Sequence, residues 1–348
     1  MSVLIQKNEE LKDFCRKLKG HPFITVDTEF IREKTYWPRL CLIQLASVDD
    51  AACVDPLADG IDLTPVFEIM QDETIVKVFH AARQDVEIFY HLTGKVPAPL
   101  FDTQVAAMVC GFGESVSYQT LVSKLLKTEI DKTMRFTDWS RRPLSEKQVK
   151  YALCDVTYLR DVYAKLTEIL EQTQRTDWVA EEIAFLSDPK TYENDPQEAW
   201  LRIKQSSNNP EFLAILQALA AWREEEAKKH DRPRKHIMRD ELLLEIAASA
   251  PKTLEEMKGM RSLPQGFAEG RLGTAARNVI AQTLARDPAS FPEHPVKRDL
   301  PKGTRALAKM LKLLLTVKAE QNDVAEKLIA SSDDVDLLAA EDNPDIPA

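Results

Sequence analysis

The sequence predicts an α/β domain with a mixed sheet, followed by all-α helical modules. Three observations carry this. Short apolar runs come first and then alternate with helical patterns through about residue 170. Beyond about residue 210 no convincing strand remains. Glycine is scarce, 10 of 348 residues, roughly 3% against a typical ~7%, which argues against a turn-rich all-β fold.

Taken in order, Phe23–Val26 reads as a buried strand that continues into Asp27–Phe30. Leu40–Ala46 (LCLIQLA) and Ala52–Val54 follow so closely that the three predict an antiparallel meander. Ile75–Phe79 (IVKVF) is a fourth strand, and a helical pattern then runs from Ala81 to Leu92, stopped by Gly94. Residues 117–127 and 145–171 have helical spacing. From about 186 to 210, clusters of Pro, Asn, Asp and Ser read as a linker. Phe212, Ile215, Leu216, Leu219 and Trp222 then form one helical stripe, and Leu242–Ala248, Leu254–Met257, Ala275–Leu284 and Gly303–Val317 predict further helices. The resulting boundaries are a first domain over 1–185, a linker over 186–210, a helical domain over 211–290, and a second helical module over 295–348 that looks incomplete.

With 44% hydrophobic and 29% charged residues, the chain is neither fibrous nor disordered. None of the five cysteines, Cys15, Cys41, Cys53, Cys110 and Cys154, belongs to a C-x-x-C pair. This predicts free thiols and a reducing compartment. The first fifteen residues hold no secretory apolar region, and nowhere do ~18 apolar residues run together. A soluble cytoplasmic protein with no membrane partner is expected.

The strongest chemical signal is FITVDTEF. Asp27 and Glu29 lie two apart on a strand, so both side chains leave the same face. Like charges in an apolar strand repel and are costly to desolvate. A divalent cation would compensate, and oxygen-only ligands suit Mg²⁺ or Mn²⁺. Solvation of both acids at the strand tip is the alternative. Asp85 lies early in the helix after the fourth strand, where the helix dipole alone would favour an acid. Tyr151 and Asp155, in YALCDVTYL, are i and i+4 neighbours on a helix whose adjacent stripe, Val149, Ala152, Val156 and Leu159, is apolar. That pair would sit at the edge of the core, or be an ordinary surface pair.

Together the stretches VDTEFIREKTYWPRLCLIQLA (26–46), KVFHAARQDVEIF (77–89) and DWSRRPLSEKQVKYALCDVTYL (138–159) resemble the DEDD superfamily of 3′–5′ exonucleases. The resemblance is to the subclass with tyrosine in the third motif, and within it to the ribonuclease D family. The segment AWREEEAKKHDRPRKHIMRDELLLEIA (221–247) is similar to that family's helical HRDC modules. The resemblance implies a ribonuclease H-like first domain and two-metal hydrolysis of phosphodiesters from the 3′ end, releasing nucleoside 5′-monophosphates. By the family pattern, Asp27, Glu29, Asp85 and Asp155 hold two divalent cations, Mg²⁺ or Mn²⁺, and Tyr151 orients the attacking water. The implied partner is RNA, chiefly tRNA precursors, and the implied state is a monomer. A DNA exonuclease of repair type, a non-catalytic RNA-binding protein and a hydrolase of small phosphates are the competing readings.

Around this set, His80 reads as a packed strand-end histidine rather than a metal ligand. Trp139, Arg141 and Arg142 lie on the loop before the third motif, where they would grip RNA or pack the loop. Phe30 and Gln44 are near enough to line the site but are not assigned to it. The basic run over 228–239 offers Lys228, Lys229, Arg232, Arg234, Lys235 and Arg239 as RNA contacts, or is an ordinary solvated face that follows the acidic Glu224–Glu226. A second group comprises Lys297, Arg298, Lys302, Arg305, Lys309 and Lys312.

The net charge of −10 seems to exclude a polyanionic partner, but it is unevenly spread. Residues 1–200 carry 23 Lys/Arg against 33 Asp/Glu, residues 201–320 carry 22 against 15, and residues 321–348 carry 1 against 8. The helical region is basic, as an RNA-holding surface should be.

Overall fold

The computed structural model describes residues 3–131, 133–293, 301 and 303–340. The described residues fall into two compact units. One comprises the chain up to residue 31, residues 39–192 and the described residues from 301 onward; the other comprises 32–38 and 193–293.

The first unit is built on six strands in the order β1-β4-β3-β2-β5-β6. β1 (Leu4–Ile5) precedes α1 (Asn8–Leu18), whose Leu11, Phe14, Cys15 and Leu18 are buried on one helical face. β2 (Phe23–Ile31), β3 (Arg39–Ala46) and β4 (Ala51–Val54) form the antiparallel meander that their tight spacing predicts. After α2 (Thr64–Met70), β5 (Val76–Phe79) returns parallel to β2. α3 (Arg83–Thr93) ends at Gly94, which takes the left-handed conformation with φ 70°. β6 (Leu100–Asp102) then pairs parallel with β5. α4 (Thr103–Val109), α5 (Tyr118–Leu126), α6 (Glu146–Thr173) and α7 (Thr176–Ser187) complete the nucleus of the unit. α6 starts on a capping box, with Ser145 and Gln148 satisfying each other's backbone N–H groups.

β1 and β6 went unassigned in the sequence because two and three residues are too few to show a period. β1 nonetheless joins the sheet, pairing parallel with β4.

The second unit centres on α8 (Pro210–Lys229), buried on most of its circumference. α9 (Arg234–Ile237), α10 (Asp240–Ser249), α11 (Leu254–Lys258) and α12 (Arg271–Leu284) surround it. Leu213, Leu216 and Leu219 pack with Leu243, Ile246, Ala276 and Ile280. At Gly273 an added Cβ would lie 2.2 Å from the Phe267 carbonyl oxygen, so α12 seats there only without a side chain. The stretch 186–210, read as a linker, is partly structural. Ala199, Trp200 and Ile203, in and beside a short 3₁₀ helix, are buried in this core.

The tail helices α13 (Thr304–Gln321) and α14 (Ser332–Ala340) pair with each other and group with the first unit. Arg175 donates to the Asn322 carbonyl at 2.7 Å, and the Ala325 N–H donates to the Met108 carbonyl at 3.1 Å. Leu307, Met310, Leu313, Leu314 and Val317 are exposed along α13. Of the second basic group, Lys297, Arg298 and Lys302 lie outside the described residues, and Lys312 pairs with Asp336 at 2.8 Å. All five cysteines are free. Among the described residues no helix is long and apolar enough to cross a membrane.

Candidate active site

The site is assembled where β2, the start of α3 and the middle of α6 meet. β2 brings Asp27 and Glu29 to the face that α6 covers, because alternate strand residues share a face. The neighbouring residue on that face, Thr25, is tied to α6 by a hydrogen bond from its hydroxyl to the Val156 carbonyl at 2.8 Å. α6 is further held by the Tyr118 hydroxyl, which donates to the Cys154 carbonyl, and by Arg160, which donates to the carbonyls of Ser47 and Val48. Ala152, Val156 and Leu159 dock the helix, and Tyr151 and Asp155 are left on the wall of a cavity beside β2.

Asp85 arrives by a different route. At the end of β5 the chain turns through Ala81, which holds φ 59°. The Asp102 carboxylate fixes that turn, accepting the Ala81 N–H at 3.0 Å and the Ala82 N–H at 2.8 Å. α3 therefore starts with Asp85 pointing back over the sheet. Its carboxylate accepts a short hydrogen bond from the Thr28 hydroxyl.

Asp27, Glu29, Asp85, Tyr151 and Asp155 all line one cavity of about 500 Å³. The structure thus brings together the five residues that the three sequence motifs supply. Burial is the main reason their protonation is displaced. The Asp27 carboxyl is held well above its ordinary range by desolvation and then by the charge of Asp155. Burial, with the charges of Asp27, Asp155 and Asp85, pushes Glu29 up to about 10. Asp85 is raised by desolvation and by Asp27. Desolvation lifts Asp155 to about 7, although the Tyr151 phenol donates to it and Arg135 lies near. The Tyr151 phenol is itself pushed up by burial and by the surrounding acids, so it stays protonated.

Four desolvated acids around one cavity, offset by little positive charge, fit hard divalent cations bound through oxygen. The acids line the cavity rather than closing into a ready-made cage. Among the described residues no three carboxylate, imidazole or thiol groups converge closely enough to do so.

Other predicted residues have different fates. His80 lines the cavity, and its Nδ1 is 3.0 Å from the Thr103 hydroxyl, which itself donates to the Phe79 carbonyl. Trp139 is buried, its ring 6.1 Å from that of Tyr151, so it packs the loop behind the site. Arg142, read as an RNA contact, is instead bound to the fold. It grips the buried Asp55 carboxylate at 2.6 and 2.8 Å and donates to the carbonyls of Trp139, Arg141 and Cys41. Arg141 is exposed.

In the second unit, Arg234 is likewise spent on structure. It pairs with the buried Glu224, and its guanidinium lies 4.9 Å from the Tyr36 ring centroid. Lys228 donates to the Asn194 carbonyl. Lys229, Arg232, Lys235 and Arg239 are exposed.

Arg135 and Phe136 went unread in the sequence. Both line the cavity, and Phe136 is 91% exposed with the Arg135 guanidinium 5.2 Å from its ring centroid. A lone aromatic in a polar loop carries no periodic signal that would single it out.

A mixed sheet with a carboxylate-lined cavity at its interior strand β2 and the end of β5, joined to a helical module, is the architecture of a 3′–5′ exonuclease with an HRDC appendage. The comparisons agree. A family profile described as 3′–5′ exonuclease matches residues 2–171, and one described as HRDC domain matches residues 212–275. The chain is 49% identical to the ribonuclease D of Gluconacetobacter diazotrophicus and 50% identical to that of Acidiphilium cryptum, in each case over 99% of this chain and 88% of the relative. The crystal structure of Escherichia coli RNase D superposes with a TM-score of 0.86 at 30% identity, covering all of this chain and 94% of that one. The catalytic core of RRP6 from Trypanosoma brucei shares the fold, with a TM-score of 0.59 at 23% identity, over 81% of this chain and 79% of that one. The chain belongs to the ribonuclease D family. It is a 3′–5′ exoribonuclease, and membership of this family implies the use of divalent metal.

Proposed function

We propose that this exoribonuclease trims the 3′ ends of tRNA precursors and other structured RNAs by two-metal-ion hydrolysis at Asp27, Glu29, Asp85 and Asp155, with Tyr151 as the water-orienting group. The observation that carries the reading is the convergence of these five side chains on one cavity. The four carboxylates would hold the cations, Mg²⁺ or Mn²⁺. When bound, the cations supply Lewis acidity toward the scissile phosphate and make the attacking water more acidic. Tyr151, kept protonated, is no general base; its hydroxyl holds the water by a hydrogen bond. No Ser or Cys nucleophile is required, and the products are nucleoside 5′-monophosphates. Arg135 and Phe136, at the same cavity, suit a phosphate and a base of the RNA 3′ end. Arg141, Lys229, Arg232, Lys235 and Arg239 are the exposed cations available to the rest of the RNA.

The E. coli relative is described as an exoribonuclease involved in structured RNA processing, which supports structured RNA as the substrate class here. The proposed working unit is a monomer, and free thiols suit a reducing cytoplasm.

The test uses 5′-labelled precursor tRNA, unstructured RNA and single-stranded DNA with Mg²⁺ or Mn²⁺, against EDTA and Asp155→Asn controls. Stepwise shortening of the RNAs from the 3′ end, abolished in both controls, is expected. Internal cuts, or shortening that survives EDTA, would exclude the mechanism. Equal trimming of all RNAs would exclude the preference for structured substrates.

A further inference from the structure

The helical unit holds a cavity of its own, about 540 Å³, between α8, α9, the start of α10 and the 3₁₀ turn at Pro196–Arg202. Five cations line it, Arg202, Arg223, Arg234, Lys235 and Arg239, against two acids, Asp240 and Glu241. Arg234 is matched by Glu224, whereas Arg202, Lys235 and Arg239 are exposed. Arg223 is only 4% exposed. Both of its hydrogen bonds to described residues use Nη1, which donates to the Met238 carbonyl at 3.0 Å and the Asp240 carboxylate at 2.6 Å. Nη2 and the buried Nε are left with no partner among the described residues. Those two nitrogens form the side-on fork of a guanidinium, which matches two oxygens of one phosphate. Leaving a buried fork unused is costly, and a lysine ammonium would serve Met238 and Asp240 alone. The first turn of α10 adds an independent observation. This ten-residue helix has Arg239 at its N-cap, and no side chain caps it. Its free N–H groups and the positive end of its dipole therefore stand at a cavity lined by cations. Among the described residues no aromatic ring lines the cavity. A base has no platform there, so recognition falls on phosphate.

We propose that this cavity is a phosphate-binding site, through which the helical unit grips one backbone phosphate of the RNA without regard to sequence. The free fork of Arg223 and the first N–H groups of α10 are the donors. Arg202, Lys235 and Arg239 supply the attracting charge, and Glu241 opposes it. The site shares no residue with the catalytic cavity. That the phosphate belongs to RNA rests on the substrate reading above; that the ligand is a phosphate does not.

The test measures binding to the full chain in EDTA, which withholds the cations of hydrolysis. Labelled unstructured RNA is followed by fluorescence anisotropy and inorganic phosphate by calorimetry at constant ionic strength. Arg223→Lys keeps the charge and loses the fork. It should weaken RNA binding about tenfold or more and lower the salt slope by about 0.7, one single-strand phosphate contact. Inorganic phosphate should compete with RNA on the wild type and not on this variant. Arg202→Ala should weaken both ligands, and Glu241→Gln should tighten both. Wild-type RNA binding by a folded Arg223→Lys would overturn the proposal. If that variant does not fold, Arg202→Ala and Glu241→Gln decide, and anything but opposite changes overturns it. Loss of inorganic phosphate binding with RNA binding intact would mark a site for free phosphate and overturn the assignment to RNA. A wild-type chain that binds inorganic phosphate but no RNA would instead overturn the substrate reading beneath it.

Discussion

The Thr25 hydroxyl and the Val156 carbonyl are 2.8 Å apart, and this hydrogen bond joins the strand carrying Asp27 and Glu29 to the helix carrying Tyr151 and Asp155. Thr25→Val keeps the shape and removes the bond. The variant should lose roughly 1–2 kcal/mol of stability by denaturant unfolding. Its kcat should fall more than its KM rises, because the two halves of the site lose their register while the substrate surface is retained.

The site acids make stability depend on pH and on cations with opposite signs. Asp155 is raised to about 7 and Glu29 to about 10. Between the ordinary carboxyl range near ~4 and those values, the folded state binds more protons than the unfolded one. Stability therefore falls as pH rises through that window. In EDTA the unfolding midpoint should drop between pH 5 and pH 8, and Mg²⁺ or Mn²⁺ should restore it at pH 8. Asp85→Asn should raise the midpoint in EDTA at pH 8 while cutting activity by about 100-fold or more. A midpoint in EDTA that rises over the same pH range would contradict the electrostatic account.

Arg142 and Asp55 form a bidentate pair in which the carboxylate is 1% exposed. Burial would raise the Asp55 carboxyl, but hydrogen bonds from Arg142, Gln6 and the Leu57 N–H outweigh it and hold it below the ordinary value. Its contribution is present above ~pH 4 and is lost as pH falls through the lowered value. Arg142→Ala should cost about 3–5 kcal/mol, since it strands a buried charge. Arg142→Lys cannot restore the two-pronged contact. Unfolding curves are the measurement, and an unchanged midpoint with weakened RNA binding would return Arg142 to the RNA-contact role.

Phe136 is almost wholly exposed at the cavity, so its removal should leave the unfolding midpoint unchanged. If an RNA base stacks on it, Phe136→Ala should weaken substrate binding by about 1–3 kcal/mol, read as a rise in KM. Phe136→Trp should retain most of the wild-type KM.

The cations of the second unit divide by role. Replacing Lys229, Arg232, Lys235 and Arg239 together by Ala should weaken RNA binding and flatten its dependence on salt concentration. The fold should survive. Arg234→Ala should instead lower thermal stability, because it leaves Glu224 buried without its partner.

What could be read from the sequence follows from which interactions are local. The strands β2 to β5 and the helices that bear function declare themselves through period-2 and period-3.6 apolar patterns. Asp27 and Glu29 declare a shared strand face, and Tyr151 and Asp155 a shared helix face, because side-chain direction is fixed by spacing alone. The net charge of −10 is likewise resolved along the chain into an acidic first half and a basic helical region. Tertiary structure decided what depends on partners distant in sequence. Arg142 and Arg141 are adjacent and chemically alike, yet Asp55, 87 residues away, claims Arg142 and leaves Arg141 exposed. Arg234 is drawn out of a basic run by Tyr36 and Glu224. Trp200 and Ile203 turn part of an apparent linker into core. Asp27, Asp85 and Asp155 come from distant stretches of the sequence, and only their shared burial around one cavity raises their pKa values. Local pattern fixes where a side chain points, and the fold alone fixes what it meets there.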